Sequence, residues 1–427
     1  MNKLILLKLQ KAVSLIPRKL LLLLIPNRLK LRIGIFPVRL GHEGKALKRV
    51  LNSGQWNMSY GTHLAHNELE TEFCKFTGSK YAVAVGSGGI GIQMSLRALG
   101  LDRKSEVMVQ VDTCSATAMA ILNAQCIPRF VDSDSETFQF NGESALQKIN
   151  LNTGAIIASH LWGNVDDMES IKRIAGIAGV PVIEDCCLAL GSTQNGSHIG
   201  KSGVVGVFSF GSTKPIQAGE GGIIVTEDVN LAKELRSMRH WGERSIDFGV
   251  RDVTQLSWNG RISEFSAAVA RVQLEHFWEI NNRIKENVNI FSEYLNKNFE
   301  EIEIQLGNLS SFESSSFSQV ILKIKSESKL DRSQILNKLT HHKVGHFLAN
   351  FEPMTELTLF NSGSWKKWID DVDWDLTNEV NPTSYPGAYK IFEKSGFGLS
   401  RTNFQSKWKL KQLIRSFDSI RKNHSEH

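Results

Sequence analysis

The sequence predicts an α/β protein that is built on a mostly parallel sheet with helices on both faces. Short apolar runs of four to seven residues alternate with segments of helical periodicity over residues 81–240. Strands that are buried on both faces appear as continuous apolar runs, and their alternation with helices is typical of parallel crossovers. The composition, with 41% apolar and 22% charged residues, is that of a globular protein.

Each predicted strand is an apolar run bounded by small or polar residues. These strands are Tyr81–Val85, Val107–Gln110, Pro128–Val131, Ala155–Ser159, Val180–Glu184, Val204–Phe210 and Gly222–Thr226. The helices between them are predicted at Gly91–Leu99, Thr117–Asn123, Met168–Ala178 and Asn230–His240. Two further helices precede the first strand and are expected to end at Gly54 and Gly78, because glycine commonly follows the last turn of a helix.

The C-terminal third predicts a second, smaller domain. A long helical pattern from Ser263 to about Asn298 has apolar residues three to four apart and is expected to connect the two domains. A strand-like run at Ser318–Lys325, a helix near Asp331–His342 and a terminal helix from about Gln405 indicate an α+β arrangement. The predicted parts are an N-terminal arm of residues 1–42, a large domain of residues 43–290 and a small domain of residues 291–427.

Residues 1–42 differ in composition from the rest of the chain. They are leucine-rich and contain nine basic and no acidic residues, whereas the whole chain has a net charge of +6, so the remainder is mildly acidic. The longest uncharged run, Leu20–Asn27, is far shorter than the roughly 20 residues of a spanning helix, and no secretory cleavage site follows it. The arm either lies on the inner membrane surface as a cationic amphipathic segment or covers a neighbouring subunit.

The charge and cysteine patterns exclude several classes of protein. The acidic body has no basic stripe of the kind that binds nucleic acid. The cysteines lack the spacing of a metal site, so they predict a reduced, cytoplasmic protein with no metal centre. These cysteines are Cys74, Cys114, Cys126, Cys186 and Cys187.

Four polar features follow predicted strands, at the edge of the sheet where ligands bind in such folds. The turn Gly86–Gly91 joins a strand to a helix, and its backbone N–H groups can bind an anion. Asp185 follows one buried strand, Ser209 lies in the next apolar run, and Lys214 comes just after that run. Taken singly, these features are also explained as a tight turn, a helix cap, a buried serine and a surface lysine.

Taken together, the four features suit an aldehyde cofactor that has a phosphate group and a basic ring. A lysine can bind the aldehyde, the glycine turn and a serine can bind the phosphate, and a carboxylate can keep the ring nitrogen protonated. This is the arrangement of a pyridoxal phosphate (PLP) site. The order glycine turn, aspartate, lysine is that of a fold-type I enzyme.

Four segments resemble the signature blocks of the DegT/StrS-type sugar aminotransferases. They are His160–Ala175, Val182–Ser192, Phe208–Thr226 and Trp258–Glu275. Two shorter segments, Ser53–Trp56 and Asn259–Phe265, are similar to the branch that acts on cyclitols and aminobenzoate precursors. The resemblance extends over roughly residues 39 to 290 and implies a fold-type I PLP-dependent transferase with a mostly parallel central sheet and a smaller C-terminal α+β domain.

The resemblance also implies a role for each matching residue. Lys214 would bind the cofactor and act as the base that moves the proton, and Asp185 would be the partner of the ring nitrogen. Asn259 would reach the cofactor of the adjacent subunit, which requires a homodimer with shared active sites. The other residues would hold the cofactor (Ser87, Gly88, Gly89, Ile90, Cys114, Leu188 and Ser209) or line the substrate cleft (His160, Trp162 and Arg261).

Three positions depart from the family pattern. Gly89 stands where the family has threonine in the phosphate turn, Cys114 where an aromatic ring stacks on the pyridine, and Leu188 where glutamine or histidine lies near the ring hydroxyl. Loss of a hydrogen bond to a charged acceptor costs about 1–3 kcal/mol, and loss of a stacked ring costs about 1 kcal/mol beyond its area. We therefore expect weaker cofactor retention or an altered site.

Three functions are compatible with this pattern. The first is transfer of an amino group from glutamate or glutamine to a keto sugar, often nucleotide-linked, or a keto cyclitol, for surface polysaccharide or secondary metabolites. The second is PLP-dependent dehydration of a deoxysugar, but that branch of the family has histidine where this chain has Lys214. The third is a catalytically degenerate, sugar-nucleotide-binding or regulatory relative that is held at the membrane by the arm.

Overall fold

The computed structural model describes residues 40–58, 64–103, 105–245, 251–325, 327–328, 330–349, 351–368 and 381–424. The predicted basic arm lies outside the described residues, apart from residues 40–42. Within the described ranges, no helix has both the length and the apolar character that a bilayer crossing requires. Membrane contact by the arm and a cytoplasmic location stay predictions.

The described chain alternates helices and strands through most of its length. The helices are α1 (Glu43–Ser53), α2 (Ala65–Thr77), α3 (Gly88–Ala98), α4 (Ser115–Asn123), α5 (Gly142–Lys148), α6 (Met168–Ala178), α7 (Val229–Arg239), α8 (Glu264–Glu275), α9 (Phe277–Asn298), α10 (Arg332–His341), α11 (Thr358–Asn361), α12 (Pro386–Lys390) and α13 (Lys407–His424). The strands are β1 (Tyr81–Val85), β2 (Glu106–Gln110), β3 (Ile127–Val131), β4 (Thr153–Ser159), β5 (Val182–Asp185), β6 (Thr193–Gln194), β7 (Ser197–His198), β8 (Val205–Ser209), β9 (Gly222–Thr226), β10 (Glu243–Ser245), β11 (Arg251–Val253), β12 (Ile302–Ile304), β13 (Gln319–Ile324), β14 (His346–Leu348) and β15 (Gly396–Ser400).

A seven-stranded sheet with the order β1-β9-β8-β5-β4-β2-β3 forms the centre of the fold. The strands from β8 to β3 in this order are parallel, whereas β9 runs antiparallel to both of its neighbours, β1 and β8. Every residue of β9 is buried, and four of the five residues of β1 and of β8 are buried as well. The predicted α/β fold with a mostly parallel sheet is confirmed, and parallel strands bring their carboxyl ends to one edge.

Most predicted elements are present, with shifted ends. The helix predicted from Gly91 begins three residues earlier, at Gly88, because the Ser87 hydroxyl accepts a hydrogen bond from the Ile90 N–H at 3.2 Å and so caps α3. This shift places the whole glycine turn at the helix N-terminus. The predicted strand from Val180 begins only at Val182, after Pro181, which has no N–H to donate.

The single long helix predicted from Ser263 is wrong. The chain forms two helices, α8 and α9, and His276 between them has φ −97° and ψ 7°. The break brings the Phe277 ring under Gly191, where any Cβ would overlap the ring. Apolar spacing continues across the break, which is why the periodicity did not show it.

A second sheet, with the order β12-β13-β15-β14, is antiparallel throughout. Its core is shared with α9, α10 and α13 and includes Phe291, Leu322, Phe397 and Phe417. Of its strands, the sequence predicted only β13, because β12 and β14 have three residues each and β15 contains two glycines. The domain boundary proposed at residue 290 falls inside α9 and stays a prediction.

The C-terminal segment is attached to the central sheet by Asp132, which follows β3. Its carboxylate accepts hydrogen bonds from the Gly387 and Ala388 N–H groups, each at 2.9 Å. Asp132 is 6% exposed, so water cannot easily replace these bonds. This buried carboxylate therefore caps α12 from a position 255 residues earlier in the chain.

We predict that Asp132→Ala lowers stability by about 1–3 kcal/mol, because two buried N–H groups lose their acceptor. The measurement is the thermal unfolding midpoint. Asp134→Ala is the matched control, since its carboxylate accepts from Glu136 and Thr137 within one local turn. Equal losses in the two variants would contradict a tethering role for Asp132.

Candidate active site

A cavity of about 310 Å3 lies at the carboxyl edge of the central sheet. Its walls come from the turn after β1, the loop after β2, the ends of β4, β5 and β8, and the loop after β8. Its lining includes Ser87, Gly88, Gly89, Thr113, Cys114, Thr117, His160, Asp185, Leu188, Ser209 and Lys214. A larger cavity of about 710 Å3, between α1, α2 and α8, contains none of the predicted site residues.

The glycine turn lies directly against the ends of β5 and β8. A Cβ added to Gly88 would be 2.5 Å from Cys187 Sγ and 2.9 Å from Ser209 Cβ. Only glycine allows this approach, which brings the Ser209 hydroxyl beside the N-terminus of the 11-residue helix α3. Backbone N–H groups at such a terminus, together with a hydroxyl, form a cradle for a phosphate.

The departure at Gly89 leaves open space in this cradle. A Cβ at Gly89 would have a single neighbour within 4 Å, the Ser87 Oγ at 3.9 Å. Among the described residues, no other side chain takes the place of the threonine of the family pattern. The groups available here to bind a phosphate are backbone N–H groups and the hydroxyls of Ser87 and Ser209.

The Asp185 carboxylate is held at the floor of the cavity. Its Oδ2 accepts a hydrogen bond from Thr117 Oγ1 at 2.7 Å, and its Oδ1 accepts one from the Cys187 N–H at 3.1 Å. Asp185 is 7% exposed and still lines the cavity. A carboxylate has more acceptor positions than these two bonds use, so it can also accept from a ring N–H.

Lys214 lies in the loop after β8, with its main chain fixed at two points. Its N–H donates to the Gly211 carbonyl at 3.1 Å, and its own carbonyl accepts from Gln217 Nε2 at 3.2 Å. Its amine forms no ion pair with any residue that the structure describes. Lys214 is also the one lysine among the residues that line the cavity.

Two thiols share the cavity with Lys214. Burial raises the pKa of Cys114, and burial raises the pKa of Cys187 well above its usual value. Both thiols are therefore protonated near neutral pH. Because a thiolate rather than a thiol is the nucleophile, neither competes with the lysine for an aldehyde.

His160 lines the cavity, but both of its ring nitrogens are engaged. Nε2 is 3.1 Å from Glu184 Oε2, and Nδ1 accepts from the Asp166 N–H at 3.2 Å. Burial lowers the pKa of His160, but the hydrogen bond to Glu184 and the charges of Glu184, Asp166 and Asp185 together raise this pKa overall. The His160 N–H also donates to the Asp185 carbonyl at 3.0 Å, so this residue supports the strand that carries Asp185.

One wall of the cavity is apolar. Leu188 lines it and belongs to a cluster of buried side chains that also contains Trp162, with Phe347 and Phe351 packed against it. Trp162 has a left-handed backbone, with φ 64°, and its ring stacks on Phe351 at a centroid distance of 4.9 Å. Trp162 therefore lies behind the cavity wall, and Leu188 presents an apolar surface where the family has a polar side chain.

Asn259 and Arg261 lie outside the cavity of their own chain. The Gly260 carbonyl accepts from the Gly86 N–H at 2.8 Å, so this segment runs beside the glycine turn. Asn259 is exposed, whereas the Arg261 guanidinium lies over the Trp241 ring at 4.1 Å. Ile90, whose N–H is bound by Ser87, also lies outside the cavity lining.

Sequence reasoning missed Thr117 as a site residue. The sequence predicts it only as the start of a helix, whereas in the structure it lies in the first turn of α4 and its hydroxyl donates to Asp185. Its position in the segment that follows the buried strand β2 could have indicated a site residue, because polar residues there face the carboxyl edge of the sheet. The same signal applies to Thr113, whose buried Oγ1 has no hydrogen-bond partner among the described residues.

Residues 40–369 match the model of the DegT/DnrJ/EryC1/StrS aminotransferase family. The chain belongs to this family. It is 33% identical over 260 residues to the GDP-perosamine synthase of Escherichia coli O157:H7, over 61% of this chain and 70% of that enzyme. It is 30% identical over 253 residues to the L-glutamine:2-deoxy-scyllo-inosose aminotransferase of Streptomyces fradiae, over 57% of this chain and 60% of that enzyme.

The fold agrees with this membership. An aminotransferase structure from Psychrobacter cryohalolentis superposes with a TM-score of 0.78 at 23% identity, over 91% of this chain and 98% of that one. The chain is therefore a PLP-dependent aminotransferase with a fold-type I architecture. The degenerate alternative is not favoured, because the matching relatives are named as enzymes, one a synthase and the other an aminotransferase.

The residues at the cavity fit PLP. At Gly88 there is no room for a side chain, but backbone N–H groups remain for a phosphate. Asp185 provides an acceptor for the N–H of the ring. Lys214 provides an amine that has no ion-pair partner among the described residues. The roles of the individual residues stay predictions.

We predict that Gly88→Ala and Gly89→Ala behave differently. The Cβ at position 88 must displace Cys187 or Ser209, so PLP affinity should fall by about 10-fold or more, as expected for loss of one hydrogen bond to a charged acceptor. The Cβ at position 89 meets open space, so affinity should stay within about 3-fold of the wild type. Titration of the apo-protein with PLP measures both, and equal effects would contradict the proposed cradle.

Proposed function

We propose that the chain transfers an amino group from glutamate or glutamine to a keto sugar, which is nucleotide-linked, or to a keto cyclitol. The observation that carries this proposal is the convergence of Lys214, Asp185 and the glycine turn on one cavity at the carboxyl edge of the sheet. The names of the relatives indicate the substrate class: one makes GDP-perosamine, and the other uses L-glutamine and a deoxy-inosose.

The proposed chemistry assigns a separate task to each polar group of the cavity. When bound, PLP supplies an electron sink for the bonds at the carbon that carries the amine. Lys214 would hold the cofactor in the resting enzyme, and its Nζ would take up and return the proton during amino transfer. Asp185 accepts the ring N–H and keeps the ring nitrogen protonated, while the cradle at Ser87 and Ser209 anchors the phosphate.

The surroundings favour the lysine as the base. Cys114 and Cys187 stay neutral because burial raises the pKa of each thiol, so they add no negative charge beside Lys214. His160 is held by Glu184 and by the Asp166 backbone, which leaves no free ring nitrogen to act as a competing base. We infer that His160 contributes shape to the substrate cleft.

We further propose that the active enzyme is a homodimer with shared sites. Asn259 is exposed and lies outside the cavity of its own chain, which supports a contact with the cofactor phosphate of a second subunit. Three apolar side chains that are close to Asn259 in sequence are exposed: Trp241 is 45%, Val253 is 62% and Leu256 is 81% exposed. Covering these side chains would favour association.

We predict that Lys214→Ala abolishes covalent retention of PLP after borohydride reduction and lowers amino transfer by several orders of magnitude. Its loss removes both the attachment point and the base. Absorption spectra before and after reduction measure retention, and amino transfer from glutamate and glutamine measures activity. Lys201→Ala is the control, because Lys201 lies outside the cavity lining, and covalent labelling that survives in Lys214→Ala would refute the assignment.

Shared sites predict a specific result when two inactive variants are combined. Asn259→Asp places a negative charge beside the proposed phosphate of the partner, so it should be weakly active, as should Lys214→Ala. In a mixed dimer, one site would combine both changes and the other would have neither. Co-refolded equal mixtures should therefore regain about a quarter of wild-type activity in a symmetric dimer.

A contact of Asn259 within its own chain predicts the opposite result. If Asn259 acts only within its own chain, no site of the mixed dimer is intact, and co-refolding gives no recovery beyond the sum of the separate variants. Size-exclusion chromatography of the mixture confirms that dimers have formed.

A further inference from the structure

Thr117 connects two distant elements at the floor of the cavity. It lies in the first turn of α4, and its Oγ1 donates to Asp185 Oδ2 at 2.7 Å, across a separation of 68 residues. In the sheet, β4 lies between β2, which precedes α4, and β5, which carries Asp185. The hydroxyl therefore reaches over the end of β4 to bind the carboxylate.

We propose that Thr117 is a positioning residue that fixes the Asp185 carboxylate toward the ring nitrogen of PLP. The inference rests on the proposed role of Asp185. The carboxylate has a second anchor, the Cys187 N–H on Oδ1 at 3.1 Å, which comes from two residues farther along the same chain segment. One local bond holds one oxygen but permits rotation of the group, whereas a second bond to the other oxygen sets its plane.

The burial of this pair makes the bond hard to replace. Thr117 is 1% exposed and Asp185 is 7% exposed, so little water reaches the shared hydrogen bond. Without the hydroxyl, Oδ2 would lose its bond to Thr117, and the carboxylate would keep only its contacts with Cys187 two residues farther along the same segment. A buried carboxylate oxygen that loses its donor rotates toward another hydrogen-bond donor. The Asp185 carboxylate would then no longer face the position of the ring nitrogen in the cavity.

A purely structural role for Thr117 predicts a different pattern. Its neighbour in α4, Ala118, is fully buried in the core. In a purely structural role, the Thr117 side chain would only fill space beside it. In that case valine, which has nearly the same shape, would replace threonine without consequence. Serine, which keeps the hydroxyl but leaves a small void, would be the worse substitution.

The experiment compares Thr117→Val, Thr117→Ser and Asp185→Asn with the wild type. Thr77→Val is the control, because Thr77 is also buried and its Oγ1 bonds to the Phe73 carbonyl and to Ser79, away from the cavity. The measurements are PLP affinity of the apo-protein, the pH titration of the absorbance of bound PLP, and the thermal midpoint of the apo-protein.

We expect Thr117→Val to weaken PLP binding by about 10- to 100-fold and to alter the pH titration of the absorbance. Thr117→Ser should stay within about 3-fold of the wild type, and the midpoint of Thr117→Val should fall no further than that of Thr77→Val, which loses more hydrogen bonds. Affinity that is unchanged in Thr117→Val, or lost to the same degree in Thr117→Ser, overturns the inference. If Asp185→Asn also binds PLP normally, the proposed role of Asp185 fails as well.

Discussion

The close approach of three chain segments at the edge of the central sheet is the constraint on which the site depends. A Cβ on Gly88 would collide with the ends of β5 and β8, and a Cβ on Gly222 would lie 2.8 Å from the Gly88 N. Because neither position has a side chain, the N-terminus of α3 rests directly on the sheet. This contact brings an anion cradle, a carboxylate and a lysine into one cavity of about 310 Å3.

The end of β5 carries two carboxylates with different tasks. Glu184 and Asp185 are adjacent, so their side chains point to opposite faces of the sheet. Glu184 accepts from the Gly200 and Gly203 N–H groups and bonds to His160, which satisfies its buried charge. Asp185 accepts from Thr117 and Cys187 and still faces the cavity. Buried charge is tolerated only with such partners, so Glu184 stabilises the end of the strand that positions the proposed ring-nitrogen partner, Asp185.

The three departures from the family pattern change the walls of the cavity and leave its proposed chemistry in place. Open space surrounds Gly89, a neutral thiol stands at Cys114, and Leu188 joins an apolar cluster with Trp162. None of these changes removes the lysine, the carboxylate or the backbone N–H groups. The cavity wall is therefore less polar than the family pattern at Gly89 and Leu188, and the proposed chemistry depends on the groups at the floor.

The sequence by itself determined the sheet and the identity of its polar edge. Apolar runs and glycine placed β1, β9 and α6 with their observed bounds. The polar residues after two other runs, those of β5 and β8, included Asp185 and Lys214. Tertiary structure decided the rest: the break at His276, the short strands of the second sheet, and the bond from Thr117 to Asp185. The physical reason is range, because periodicity reports which face of an element is buried, whereas a hydrogen bond across 68 residues depends on how separate elements pack.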